Sequence, residues 1–294
     1  MPPRLLGILA GFAAAAIWGA MYVVSKYVLD FVPPLTLVLA RLIVGALTLG
    51  LIAWLTGQPR VCRRELPFLA LLGLVGLCLS MVAQFAGTRL STAASGALIT
   101  SATPAFLVLF AWPILGERLT LARLVGLALA TAGVVATILL AGESVDLAGG
   151  STLRAGNALL VVAAVTWALY SALSRVAARR QPVLVVTLYA TLFGALFTGA
   201  LVPLELAASR PGPVPPLAWL GLIYLGVVST AGAFYLWNKS IELLGAGLPA
   251  ILFFAQPVVG GLLGALLLGE RLGAPFFLGG ALIGLAVLVT AREG

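Results

Sequence analysis

The chain has 294 residues, 62% hydrophobic and 9% charged, with a mean hydropathy of +1.17. Soluble domains carry about 45–50% apolar and about 25% charged residues. The 17 basic and 9 acidic side chains are too few to clothe a soluble surface of this size, so soluble classes are excluded and an all-α polytopic membrane protein is expected. There is no histidine, and Cys62 and Cys78 alone make neither a Cys/His metal site nor a disulfide framework, so no metal or cofactor is implied. The net charge of +8 reads as loop orientation, not nucleic-acid binding.

A membrane-spanning helix needs about 20 mostly apolar residues. Ten such stretches are expected, at 5–29, 33–56, 66–87, 92–114, 121–141, 154–178, 183–206, 217–238, 246–268 and 274–291. Arg4 followed by an apolar run and small residues at Ala13 to Ala16 imitates a leader peptide, but the run continues to Tyr27 and reads as a retained first helix. Pro33-Pro34 ends the first span and opens the second. Gly57 to Arg60 is a polar turn, Gly142 to Ser151 the most polar linker, and Pro211 to Pro216 a proline-rich one. No loop is long enough for a separate catalytic domain. With both termini cytoplasmic, eleven Lys and Arg fall inside and five outside, Arg41 lying within a span; the positive-inside rule therefore expects cytoplasmic termini.

The two halves resemble each other. Leu115-Gly116-Glu117-Arg118-Leu119 recurs as Leu268-Gly269-Glu270-Arg271-Leu272, 153 positions later, where Pro104 also matches Pro257, Gly73 matches Gly226 and Gln84 matches Trp237. Near the two starts the offset is 149, pairing Trp18 with Trp167, Lys26 with Arg175 and Gly45 with Gly194. The expected units are an N-terminal five-helix repeat (1–142), a linker (143–153) and a C-terminal five-helix repeat (154–294). Five is odd, so the second copy enters the membrane in the opposite direction, the inverted plan of many secondary transporters.

Ten spans in two repeats, Trp18-Gly19 with Lys26 in the first span, Pro34 and Arg41 in the second, Pro104 in the fourth and Gly-Glu-Arg-Leu at 116–119 and 269–272 resemble the drug/metabolite transporter superfamily in its EamA-type branch, over essentially the whole chain. The resemblance implies export of small metabolites across a bacterial inner membrane by alternating access. Within the branch the chain is most similar to a bacterial amino-acid exporter, which implies neutral amino acids, notably aromatic ones, methionine and threonine.

The residues suggest where a cargo would sit. Trp18, Tyr22, Ser25 and Lys26 share one face of the first span, and Trp167, Tyr170, Ser171, Ser174 and Arg175 one face of the sixth. Aromatic groups carrying N–H or O–H need polar partners in hydrocarbon. These faces are cavity wall or helix–helix packing. Pro104, beside Ser101, and Pro257, beside Gln256, interrupt matching spans, as a transport hinge or as a static kink. An amide such as Gln256 can address both ends of a zwitterion. Met81, Gln84, Trp237 and Asn238 are further candidates, placed nearer helix ends, where anchoring or capping competes with binding. Arg41 is read first as a structural clamp and second as a carboxylate ligand. Glu117 and Glu270 suit the starts of the helices that follow them. The pairs Gly7/Gly11, Gly260/Gly264 and Gly280/Gly284 permit close helix contact, within one bundle or between chains.

With no histidine and no carboxylate at mid-span, a proton relay has no candidate, and a facilitative carrier, or weak coupling through a group near a helix end, is expected. An intramembrane enzyme lacks a nucleophile–base or metal set. A cation carrier would want a buried carboxylate and a phosphate carrier several buried bases. The expected partners are the lipid bilayer and a neutral or zwitterionic small molecule; the alternative is an exporter of the same architecture for another small metabolite, such as a sugar derivative or a drug. The oligomeric state is open, and a monomer suffices.

Overall fold

The fold is seen in a computed structural model, which describes residues 2–58, 61–116, 120–140, 150–209, 212–244, 252–253, 255–258, and 259–291. Most of the 143–153 linker, with Glu117, Arg118 and Leu119 of the first Gly-Glu-Arg-Leu motif, lies outside these residues. Helices dominate: α1 (Pro3–Val28), α2 (Pro34–Leu55), α3 (Arg63–Leu90), α4a (Ala93–Thr100), α4b (Thr103–Leu115), α5 (Leu121–Leu140), α6 (Gly150–Ala178), α7 (Val183–Ala208), α8 (Pro216–Leu244), α9 (Ala255–Leu268) and α10 (Ala274–Ala291). Six of them (α1, α2, α3, α6, α7 and α8) are long and apolar enough to cross a membrane, and shorter apolar helices complete the set. Proline opens α1, α2 and α8, where its fixed φ suits a first turn and its missing N–H would be unpaired anyway. Gly116 and Gly269 follow α4b and α9 at φ of 71° and 66°, the left-handed conformation that ends a helix at little cost only for glycine.

The packing is two-fold in pattern. Helix α1 packs on α8 and α9 while α6 packs on α3 and α4; α2 packs on α8 while α7 packs on α3. The pairs α2 with α7, α4a with α9 and α5 with α10 join like to like across the halves. Both third helices also carry a π-helical stretch, Gly73–Ser80 in α3 and Tyr224–Gly232 in α8. The repeated glycines sit at these crossings. A Cβ on Gly45 of α2 would lie 2.6 Å from Thr230 of α8, and one on Gly194 of α7 would lie 2.3 Å from Leu77 of α3. Gly7 and Gly11 meet Leu243, Leu244 and Ser240 of α8, and Gly260 meets Gly19 and Ala97, so these pairs serve contacts within one chain.

The fourth span departs from expectation. It is not a continuous helix bent at Pro104 but two half-helices separated at Ser101–Ala102, with Pro104 in the first turn of α4b. Pro257 likewise sits in the first turn of α9, after a break at Phe253. The placement is physically economical, since a first-turn proline forfeits no intrahelical hydrogen bond. Residues 246–251 and 254 of the expected ninth span lie outside the described set.

Glu270 also acts away from the helix it precedes. Its carboxylate accepts from the Ala93 and Ala94 amides at 2.7 and 2.9 Å, satisfying the start of α4a. Glu205 accepts from the Leu35 and Thr36 amides, both at 2.8 Å, at the start of α2. Glu270→Ala should therefore lower stability by about 1–3 kcal/mol. Glu242→Ala, which breaks only the exposed 2.8 Å pair with Lys239, should cost less than about 1 kcal/mol. Thermal unfolding of both variants in detergent checks the order; equal midpoints would refute it.

Candidate functional site

The site is built around Trp18, midway along α1. Its indole N–H donates to the Ser229 carbonyl at 3.1 Å, inside the π-helical stretch of α8, where the shifted register re-aims backbone groups. Its ring meets four others at centroid distances of 5.4 to 6.0 Å: Phe234, Trp237, Phe253 and, edge-on, Trp167 of the other half. Trp167 in turn stacks on Tyr170 at 4.7 Å. Edge and offset contacts of this kind each add about 0.5–1.5 kcal/mol beyond area burial.

A chain of polar side chains borders this cluster. The Thr100 hydroxyl donates to the Gly96 carbonyl at 2.7 Å and accepts from Gln256 Nε2, also at 2.7 Å. Its one proton is thereby used, so Tyr22 Oη donates to it across 2.6 Å and accepts from Gln84 Nε2. Gln256 Nε2 reaches the Ala97 carbonyl at 3.2 Å as well. The network ties α3, α1, α4a and α9 together, and among the described residues it leaves Oε1 of both glutamines unengaged. Thr100 lies at the end of α4a, beside the break in the fourth span, and its carbonyl accepts from Thr103 Oγ1 at 2.7 Å.

Trp18, Trp167, Tyr22, Gln84, Thr100 and Gln256 line a central cavity of about 40 Å³, together with Met21, Arg41, Ser80, Met81, Thr103, Ala163, Phe234 and Phe253. That volume holds a few water molecules and no amino acid, so the cavity is collapsed here. A wider cleft of about 830 Å³ lies among the ends of α2, α6 and α8 and the start of α7, on the face where α1 begins. It is lined by Gln58, Arg179, Gln181, Asn238, Lys239 and Glu242 among others. Hydrogen bonds join the helix ends on the opposite face. Lys26 Nζ donates to the carbonyls of Thr88 and Arg89, each at 2.9 Å, and of Ser91, while Ser91 Oγ donates to Asn157 Oδ1 at 2.5 Å. These bonds hold α1 and α6 against the end of α3.

The residues anticipated from sequence divide. Trp18, Tyr22, Met81, Gln84, Trp167 and Gln256 converge on the cavity. Gln84 lines the cavity although it lies only six residues before the end of α3 at Leu90. Trp237 and Tyr170 are buried behind the first layer, against Trp18 and Trp167. Ser101 and Ser171 bond local carbonyls, Leu98 at 2.6 Å and Trp167 at 2.8 Å. Asn238 lies in the wide cleft, donating to Thr187 Oγ1 at 3.2 Å. The breaks place Pro104 and Pro257 close after Thr100 and Phe253 in the chain. Thr100, Thr103, Phe234 and Phe253 were not anticipated; their signal is proximity to a matched proline or, for Phe234, the position three residues before Trp237.

A bundle of two pseudo-symmetric halves around a small polar–aromatic cavity, with a cleft on one face, is the build of a membrane transporter. The chain belongs to the EamA-like transporter family, whose model matches residues 5–139 and 154–292. It is 26% identical to the uncharacterized transporter YetK of Bacillus subtilis, over 95% of this chain and 84% of that one. It is 28% identical to the probable terminal-alkyne amino-acid exporter of Streptantibioticus cattleyicolor, over 92% and 87% of the two chains. It is also 28% identical to the aromatic amino acid exporter YddG of Ancylobacter novellus, over 88% of each. A solved crystal structure, 26% identical and covering 98% of each chain, superposes with a TM-score of 0.70.

Proposed function

We propose that this transporter exports neutral, zwitterionic amino acids with aromatic or large apolar side chains, methionine and threonine included, across a bacterial inner membrane. The observation that carries the reading is the pairing, in one cavity between the halves, of a Trp18–Trp167 wall with the Gln84–Tyr22–Thr100–Gln256 chain. Indole faces stack on the cargo side chain. The free amide oxygens accept from its ammonium group. The named functions of the two amino-acid exporters point the same way.

The units that move are the repeats 1–142 and 154–294, and transport proceeds by alternating access between them. With the termini in the cytoplasm, as eleven positive charges against five favour, the 830 Å³ cleft is the loading side and the Lys26 bonds are the closed outer gate. No described carboxylate lines the cavity, which favours a facilitative carrier over a proton-coupled one.

The test is flux into proteoliposomes of labelled amino acids, sugars and cationic dyes, with and without an imposed pH gradient. Amino-acid flux is expected, down its gradient only. Gln256→Ala, which removes the donor to Thr100, should reduce it roughly 10- to 100-fold, the loss of one or two buried hydrogen bonds. Absence of amino-acid flux, with sugars or dyes moving instead, would replace the substrate class with another small metabolite. Uphill movement on a pH gradient would overturn the facilitative reading.

A further inference from the structure

Arg41 is fully buried in the first half of α2 and borders the central cavity. A guanidinium at mid-membrane is costly and ordinarily has a carboxylate partner. Here its neighbours are neutral. Nε donates to Thr230 Oγ1 at 2.9 Å, Nη2 to Ser229 Oγ at 3.2 Å and Nη1 to the Met21 thioether at 3.2 Å. The Phe85 ring lies 4.9 Å from Cζ. Sulfur is a weak acceptor, and three bonds use only three of the five N–H groups of a guanidinium. Among the described residues no carboxylate pairs with it. The hydroxyls that hold Nε and Nη2 belong to the π-helical stretch of α8, so one edge of the plane is anchored. The weakly engaged Nη1 lies beside Met21, itself a wall of the cavity.

We infer that Arg41 is the receptor for the cargo's carboxylate, so that this is a carboxylate-requiring site. The inference rests on the amino-acid reading above and extends it. A planar fork with one edge fixed and the other turned toward the cavity suits two-point binding of a carboxylate, which supplies the missing counter-charge. The cargo then lies with its carboxylate at Arg41, its ammonium toward the glutamine oxygens and its side chain against Trp18 and Trp167. A helix clamp alone would need the hydroxyl contacts but would not leave donors unspent beside a cavity.

The test uses the wild-type protein first. Phenylalanine, 3-phenylpropionate (no ammonium) and 2-phenylethylamine (no carboxylate) are compared as competitors of labelled phenylalanine flux in proteoliposomes. Phenylpropionate is expected to compete at least 10-fold better than phenylethylamine. Arg41→Gln should erase that preference, and Arg41→Lys should restore it in part; folding is checked by monodispersity in detergent. A purely structural Arg41 would change total activity but leave the competitor ratio as in wild type. Equal competition by phenylethylamine and phenylpropionate in the wild type overturns the carboxylate site and leaves the amino-acid reading standing. Direct binding of phenylpropionate, read by quenching of tryptophan fluorescence, in a protein that moves no amino acid overturns that reading and leaves the site.

Discussion

Trp18→Ala is expected to abolish amino-acid flux and to lower stability by about 3 kcal/mol. The ring contacts four other aromatic rings, and it joins α1 to α6 and α8. In a bilayer, lipid tails offer an apolar alternative, so little of the loss is hydrophobic transfer; it is lost packing and the space left behind. The expectation therefore lies at the low end of aromatic-to-alanine losses in soluble cores. Trp18→Phe keeps a ring against Trp167 and Phe234 but cannot donate to the Ser229 carbonyl. It should cost about 0.6 kcal/mol, the average of measured interhelical hydrogen bonds in membranes, and should retain flux. Unfolding midpoints in detergent and flux in proteoliposomes decide. An alanine variant that transports like wild type would remove Trp18 from the site.

Gly19→Ala should be nearly as damaging, though it adds a single methyl group. The Cβ would lie 2.7 Å from the Gln256 carbonyl and 3.0 Å from the Gly260 nitrogen, both backbone atoms that cannot swing aside. α1 and α9 must then separate, and Gln256 is drawn away from Thr100 and Ala97, to which it now bonds at 2.7 and 3.2 Å. Overpacking of this kind costs about 1–3 kcal/mol, and the same displacement opens the polar chain, so flux should fall with stability. Gly50→Ala is the matched control: its nearest atom, on Leu188, is 4.0 Å away. Helix propensity favours alanine there by up to about 1 kcal/mol, so Gly50→Ala should be neutral or stabilising. Identical unfolding of the Gly19 variant and wild type would refute the close contact.

The fold was legible because its signals are local. Apolar runs near 20 residues mark spans, prolines at 34 and 216 mark their starts, and identities at offsets of 149 and 153 mark the repeat. Six of the anticipated binding residues reach the cavity: five carry polar groups that hydrocarbon would not accept, which forces them inward, and the apolar Met81 shares the α3 face of Gln84 three residues on. The others lie outside its lining for a geometric reason. Tyr170 and Trp237 share the same helix faces as Trp167 and Phe234, and one face holds both a first and a second layer; periodicity cannot separate the two. Ser101 and Ser171 have carbonyls of their own helix within reach, and a hydroxyl takes the near partner.

What the sequence determined by itself is the solvent, the number of spans and the two-fold repetition, since each follows from composition and spacing along one chain. What only the tertiary structure decided is which polar groups find partners. Glu270 closes the start of α4a from 176 to 177 positions away, Lys26 ties down the end of α3, and Arg41 finds hydroxyls 188 and 189 positions away but, among the described residues, no carboxylate. Partnership of this kind is set by how helices from opposite halves cross, and residues so far apart leave no periodic trace in the chain. The charge that is scarce in composition gains its meaning there: a few buried groups, each satisfied or left open by its neighbours, define where a cargo can bind.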